Sequence, residues 1–326
     1  MRSSCVKVPK SNSETFRKKL IKIGAVDTSL KIKSDDRFLY IPIVNESLAP
    51  AGADVTLEQF DAVQKPKSIE EILGFSPSYE IIGDIAILQE GSIDVGEAIL
   101  KVHKNVKTVL VALSPVEGEF RVRRYRVLAG ENRTETVYRE YGCIYALDLQ
   151  RVYFSPRLAT ERARVAALVG PKETVIDMFA GVGPFSVLIA KRAKHVVSID
   201  KNPDAILFLS KNVALNSITN IRVIRDDVHE VSSHLKGQGD RIIMNLPHNA
   251  REYLDDALVM AKPTATVHYY DIQPENSFEE ALETIREATT RNGRKINVLG
   301  IKKVRSYAPK SYNICVDFQV MQDQNS

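Results

Sequence analysis

The stretch Asp177-Met-Phe-Ala-Gly181-Val-Gly183-Pro-Phe185 decides the fold: a short apolar strand runs into a glycine turn, and a helix starts at Pro184. In an open α/β sheet such a turn lies beyond the carboxyl end of the strand, where bare backbone and a helix N-terminus meet a ligand. Gly181 and Gly183 are placed there, and their missing side chains leave room for close approach. Asp200 closes the next strand, placed to accept hydrogen bonds from two ribose hydroxyls, and Asp226-Asp227 closes the third, where an adenine edge would lie. A dinucleotide fingerprint wants a third glycine where this chain has Ser186, so pyrophosphate is poorly provided for. Asp177 adds a carboxylate that repels a pyrophosphate and suits the ammonium and sulfonium of S-adenosylmethionine. Asp226 and Asp227 taken alone also read as a helix cap or solvated loop.

Around this motif apolar strands alternate with helical runs. Strands are expected at Thr174 to Phe179, His195 to Asp200, Ile221 to Arg225, Asp240 to Asn245 and Ala265 to Tyr270. Helices are expected at Pro184 to Arg192, Pro203 to Asn216, Arg251 to Ala261 and Phe278 to Asn292. That grammar predicts a doubly wound, mostly parallel sheet. Lys295 to Val304 and Tyr312 to Val320 are joined only by Arg305 to Ser311, too short for a helical crossover, so the last strand should run antiparallel.

Two smaller α+β units are expected before it. Residues 1–62 carry a helix from Glu14 to a glycine stop at Gly24, a strand at Arg37 to Ile43 and a loop at Asn45 to Ala53; Gln64 to Ser68 reads as a linker. Residues 63–150 carry strands at Ile81 to Gln89, Thr108 to Leu113, Phe120 to Arg126, Thr136 to Tyr141 and Ile144 to Asp148, with a helix at Gly96 to Val106. The third domain is residues 151–326.

The 326 residues are 44% hydrophobic with a formal charge of +4, which supports full cores and leaves the nature of any anionic partner to local clustering. Arginines do cluster, ten of them from Arg121 to Arg164, interleaved with Phe120, Tyr125, Tyr153 and Phe154, the composition of a surface that holds phosphates and stacks a base. A solvated face with internal salt bridges is the plainer alternative. Glu161 reads unaided as an i,i+3 partner of Arg164. Cys5, Cys143 and Cys315 are scattered, so neither a disulfide framework nor a metal site is suggested, and a reducing cytoplasm is expected. No apolar run approaches the roughly 18 residues of a membrane span, and no export signal is read.

Asn245-Leu-Pro247-His248 ends the fourth strand, beside the first, where an amide can donate to and accept from a purine edge; a strand-end cap followed by a turn proline is an equal reading. Phe120-Arg-Val-Arg123, Leu128-Ala-Gly-Glu-Asn-Arg-Thr134, Val152-Tyr-Phe-Ser-Pro-Arg-Leu158, Glu161-Arg162, Asp177 to Ser186 and Asn245-Leu-Pro247 together resemble the archaeal-type tRNA (guanine-37, N1)-methyltransferases from about residue 81 to 320. The resemblance implies a class I, S-adenosylmethionine-dependent fold with Glu161 as general base, Arg121 donating to O6 and Asn245 orienting the base. It further implies donor contacts from Asp177, Phe179, Gly181, Gly183, Asp200, Asp227 and Asn245, and substrate contacts from Tyr153, Arg157, Pro247 and Arg123. It implies a tRNA partner gripped at the anticodon loop and L-shaped body, with a monomeric enzyme and no membrane. His248 replaces the lysine common there. Rival readings are transfer of an aminocarboxypropyl or methyl group to a wyosine-type intermediate, and a tRNA-binding module without activity.

Overall fold

The computed structural model describes residues 1–63, 67–275 and 277–321, so part of the expected linker, residues 64–66, lies outside the described residues. The chain forms two compact units, Met1–Ser68 and Ile69–Ser326.

The first unit is a four-stranded antiparallel sheet with one helix. Strand β1 (Arg2–Pro9) is followed by α1 (Ser13–Lys22), β2 (Lys33–Ser34), β3 (Phe38–Pro42) and β4 (Asp54–Gln59), and the sheet order is β2-β3-β1-β4. Val6, Val8, Leu20 and Ile41 make its core. Helix α1 stops where expected, at Gly24 with φ +67°. Sequence reading missed β1 and β4, because Arg2-Ser-Ser-Cys-Val and Asp54-Val-Thr-Leu-Glu are polar enough to pass for loop; only a partner strand on each side makes β1 the centre of a sheet.

The second unit begins with α2 (Ile69–Leu73), β5 (Tyr79–Ile82), β6 (Ile85–Leu88), α3 (Ile93–Val102), β7 (Thr108–Ala112) and β8 (Tyr125–Gly130), a sheet of order β5-β6-β7-β8 in which α3 crosses between parallel β6 and β7. The single strand expected from Ile81 to Gln89 is in fact the hairpin β5–β6, folded at Gly83 with φ +61°, where a Cβ would collide with Thr136. The expected strand Phe120 to Arg126 is also corrected. Gly118 (φ +69°) and Arg121 (φ +55°) turn the chain so that Glu117 bridges Val122, and extended pairing starts only at Tyr125. Arg121 therefore takes its direction from a left-handed backbone position and not from strand alternation.

A ribbon, β9 (Glu135–Glu140) and β10 (Cys143–Asp148), leads into α4 (Ala159–Leu168). Then come β11 (Thr174–Asp177), α5 (Pro184–Ala190), β12 (His195–Asp200), α6 (Pro203–Leu215), β13 (Ile221–Arg225), α7 (Val228–Val231), β14 (Gly239–Met244), α8 (Leu254–Met260), β15 (Ala261–Pro274), α9 (Glu279–Arg291), β16 (Ile296–Ala308) and β17 (Ser311–Val320). Their order is β13-β12-β11-β14-β15-β17-β16; the first five are parallel and β17 runs antiparallel to both neighbours, as expected. Successive residues feed opposite faces, Val175 and Val196 one core, Ile176 and Val197 the other, which is why these strands read as unbroken apolar runs. The first of those cores also contains Ile82, Ile85, Leu110 and Leu147. The second and third expected domains thus share one interior and belong to one compact unit. All three cysteines are buried and free, and no helix among the described residues is long and apolar enough to cross a membrane.

A chain of buried and half-buried polar groups ties α4 to this sheet. Arg164 donates to both oxygens of Glu161 (2.8 and 2.6 Å) and to Asp317 (2.5 Å); Asp317 accepts from His268 Nδ1 at 2.6 Å, and His268 Nε2 meets Arg241, whose Nε donates to Glu173 at 2.8 Å. Burial alone would raise the Asp317 carboxyl, but hydrogen bonds from His268 and Arg164 outweigh it and hold it well below the usual carboxylate range. Its contribution to stability is thus present above about pH 4 and lost as the pH falls. Arg164→Met, which strands two buried carboxylates, should lower the unfolding free energy by about 3–5 kcal/mol. Its stability in denaturant titrations should also fall less steeply between neutral and acid pH than that of the parent.

Candidate active site at the carboxyl edge of the sheet

The glycine turn after β11 is stitched to both neighbouring strands: Met178 N–H donates to Ile243 O at 3.0 Å and Ala180 N–H to Ile199 O at 2.9 Å. Its two glycines serve different ends. Gly181 (φ +54°) faces open space on a cavity wall, and its N–H donates to Asp200 Oδ2 at 2.7 Å. Gly183 (φ +86°) is off the wall; a Cβ there would strike Leu209, so its missing side chain lets α5 pack on α6.

Asp177 stands one layer behind the same wall. It is 1% exposed and does not line the cavity. Its Oδ2 accepts from Ser186 at 2.6 Å, Ser186 accepts from Ser198 at 2.8 Å, and Asp177 Oδ1 has no partner. Burial, helped by the charge of Asp200 and opposed by the Ser186 bond, pushes its carboxyl up to about 7. The serine that breaks the dinucleotide pattern is the partner of the carboxylate at the strand end.

The cavity opens between the strand ends. At one end stand Asp200, Asp226 and Asp227; at the other Asn245, Pro247 and His248, with Phe179 between, edge-on to Tyr253 at 5.0 Å. Asp200 Oδ1 accepts from Asn202 N–H at 2.8 Å, so each oxygen is partly committed, and burial pushes the carboxyl up. Asp227 both caps α7 through His229 N–H (3.0 Å) and pairs with Lys201 (3.1 Å), so the plainer cap reading is realised on a residue that also lines the cavity. Arg121 lines the wall with its guanidinium 4.9 Å from the centre of the Tyr153 ring. His248 sits near it and is held below its ordinary value by burial and by the charge of Arg121.

Three further expected site residues stand off this wall. Glu161 is 7% exposed and behind the wall, although its helix neighbours Leu158 and Arg162 line it; the carboxylate is gripped by Arg164 and accepts from Tyr270 at 2.6 Å. Arg123 and Arg157 line an adjoining cavity that shares Arg121 and Tyr153 with the first. The arginine run is not one phosphate surface: Arg133, Arg151, Arg157, Arg162 and Arg164 pair with acids of the chain itself. Sequence reading missed Arg305, Tyr307 and Asn313 on the wall. Residues 305–311 were expected to form a connecting loop, but β16 runs to Ala308 and lifts them to the ligand edge. His268, Cys315 and Asp317 come close enough to suggest a metal, yet His268 and Asp317 are already engaged by Arg241 and Arg164.

Three family models cover most of the chain: the tRNA methyltransferase 5 N-terminal domain over residues 5–49, the TYW2 N-terminal domain over 65–134 and the TRM5/TYW2 methyltransferase domain over 136–299. The chain is 43% identical to the tRNA (guanine(37)-N(1))-methyltransferase Trm5b of Pyrococcus abyssi, across 97% of this chain and 98% of that one. It is 34% identical to the tRNA(Phe) (4-demethylwyosine(37)-C(7)) aminocarboxypropyltransferase of Methanocaldococcus jannaschii, across 73% of this chain and 96% of that one. The solved complex of aTrm5 and tRNALeu superposes with a TM-score of 0.75 at 36% identity, covering 97% of this chain and 99% of that one. With the glycine turn, the strand-end acids and the Asn245 corner on one cavity, and with these matches running nearly end to end, the chain belongs to the TRM5/TYW2 methyltransferase family.

Proposed function

We propose that this protein is a tRNA methyltransferase that moves the methyl group of S-adenosylmethionine to N1 of guanosine 37, beside the anticodon. The observation that carries this reading is the Trm5b match across 97% of the chain, first unit included; the aminocarboxypropyltransferase relative covers 73%.

The residues fit such a donor on physical grounds. Asp177 presents an unpaired, buried oxygen behind the Gly181 turn and is only partly ionised near neutral pH, so a cationic ligand relieves its burial cost whereas a pyrophosphate adds to it. When bound, the donor supplies an electrophilic methyl group. Asp200 and Asp227 keep lone pairs for hydroxyls and an adenine edge, and Phe179 closes the space between. Asn245 and Pro247 orient the guanine, Tyr153 gives it a flat wall, and Arg121 donates to O6 as negative charge gathers there. Glu161 takes the N1 proton, because neutral N1 has no free lone pair in the ring plane. To do so its carboxylate must turn from Arg164 toward the cavity past Leu158 and Arg162, a rearrangement that tRNA binding would drive.

Incubation with S-adenosylmethionine and transcripts bearing guanosine or adenosine at position 37 should give a reverse-transcription stop at 37 with guanosine alone; a stop elsewhere, or one that persists with adenosine, overturns the reading. Glu161→Gln should cut kcat by about 100-fold or more and keep donor affinity, and because it also breaks the pair with Arg164 it should lower the melting temperature. A purely structural glutamate would lower the melting temperature in the same way but leave kcat of the folded protein unchanged. Because a bound cation favours ionised Asp177, donor binding near pH 7 should release a fraction of a proton and weaken as the pH falls below 7. Calorimetry in buffers of different ionisation enthalpy reads this, and Asp177→Asn should abolish the proton release and lower affinity about tenfold.

A further inference from the structure

Among the described residues two side-chain nitrogens are withdrawn from solvent with no hydrogen-bond partner, Arg123 Nε and Arg305 Nε, and both belong to arginines lining the cavity that adjoins the proposed active site. A guanidinium N–H stripped of water and left without an acceptor is costly, so a pair of them in one pocket marks a place built for an anion. Neither arginine has a carboxylate partner, whereas Arg157 at the same cavity is neutralised by Glu80 at 2.9 Å. Arg123 is held in position by Gln89, which accepts from its Nη1 at 3.2 Å. The two cavities share the walls Arg121, Tyr153, Arg305 and Tyr307, so a chain leaving one enters the other directly. Tyr307, 46% exposed, offers a ring at that shared lip.

We propose that the adjoining cavity is a second nucleotide subsite, in which Arg123 and Arg305 clamp a phosphodiester flanking the target guanosine and Tyr307 stacks the neighbouring base. The inference rests on the reading of guanosine 37 as the target. A base turned out of its stack leaves its neighbour unstacked and kinks the backbone, and a cationic clamp beside an aromatic platform stabilises both features.

The test measures the dissociation constant of full-length tRNA for the whole protein, which requires no methyl transfer. Transcripts are joined from synthetic pieces so that the phosphate on one side or the other of position 37 is an uncharged methylphosphonate, or the nucleoside at 36 or 38 is abasic. Arg305→Gln should weaken tRNA binding about tenfold, reduce the slope of log affinity against log salt by about one, and leave donor affinity and melting temperature unchanged; Arg305→Lys should recover part of the loss. One of the two methylphosphonates should weaken wild-type binding to a similar degree and cost Arg305→Gln nothing further. Tyr307→Ala should lose affinity for intact tRNA about tenfold but not for the transcript abasic on that same side, and Tyr307→Phe should retain it. The subsite is refuted if both methylphosphonates cost Arg305→Gln as much as wild type, or if Arg305→Gln weakens the donor instead. Absence of methylation at guanosine 37 by the wild-type protein would overturn the functional reading separately.

Discussion

The second unit depends on a string of buried and half-buried polar groups that runs from Glu161 through Arg164 and Asp317 to His268, Arg241 and Glu173. His268 is the neutral link: Arg241 donates to its Nε2, which requires Nδ1 to carry the proton that goes to Asp317, and burial keeps the ring uncharged. Each member satisfies its neighbours, so the string is stable only when whole. It fixes helix α4 against β14, β15 and β17, and so fixes Leu158 and Arg162 on the cavity wall. A second buried pair, Arg162 with Glu140 at 2.6 Å through two parallel bonds, ties the same helix to the β9–β10 ribbon. Helix α4 is thereby held on two sides by ion pairs, in addition to the apolar packing of Val165 and Ala166 in the core.

The legibility of this molecule divides along physical lines. Parallel strands buried on both faces announce themselves as apolar runs, and β11, β12 and β14 fall where the pattern puts them. What resisted reading was set by backbone conformation or by distant partners. Arg121 reaches the cavity because its residue adopts φ +55°, an outcome no alternation rule contains. Strands β1 and β4 are polar segments made extended by neighbours far along the chain. The site followed the same division. Gly181, Asp200 and the Asn245 corner stand on the cavity as spacing implied, while Asp177 and Gly183 stand one layer behind its wall. Arg305, Tyr307 and Asn313 were hidden because only the register of β16 on β17 lifts them to that edge.

The arginine run shows how composition misleads by half. Five of its members are consumed by internal pairs, as the plainer reading held, and those pairs orient the elements that carry the unpaired ones. Arg121 and Arg123 have no carboxylate partner among the described residues and line a cavity on which Arg305 is likewise unpaired and only Arg157 is neutralised. The structural reading and the phosphate-binding reading therefore hold for different residues of one segment.

The two ends of the cavity differ in when the ribosome supplies them. The acid-lined end is assembled from one contiguous stretch, Asp177 to Val228, with each strand laid beside its predecessor. The opposite wall gathers Arg121 and Tyr153 from before that stretch and Asn245, Arg305 and Asn313 from after it, closing only when β17 inserts between β15 and β16. The acid-lined end is thus specified by one local stretch, whereas the opposite wall exists only where segments from both sides of that stretch are brought together.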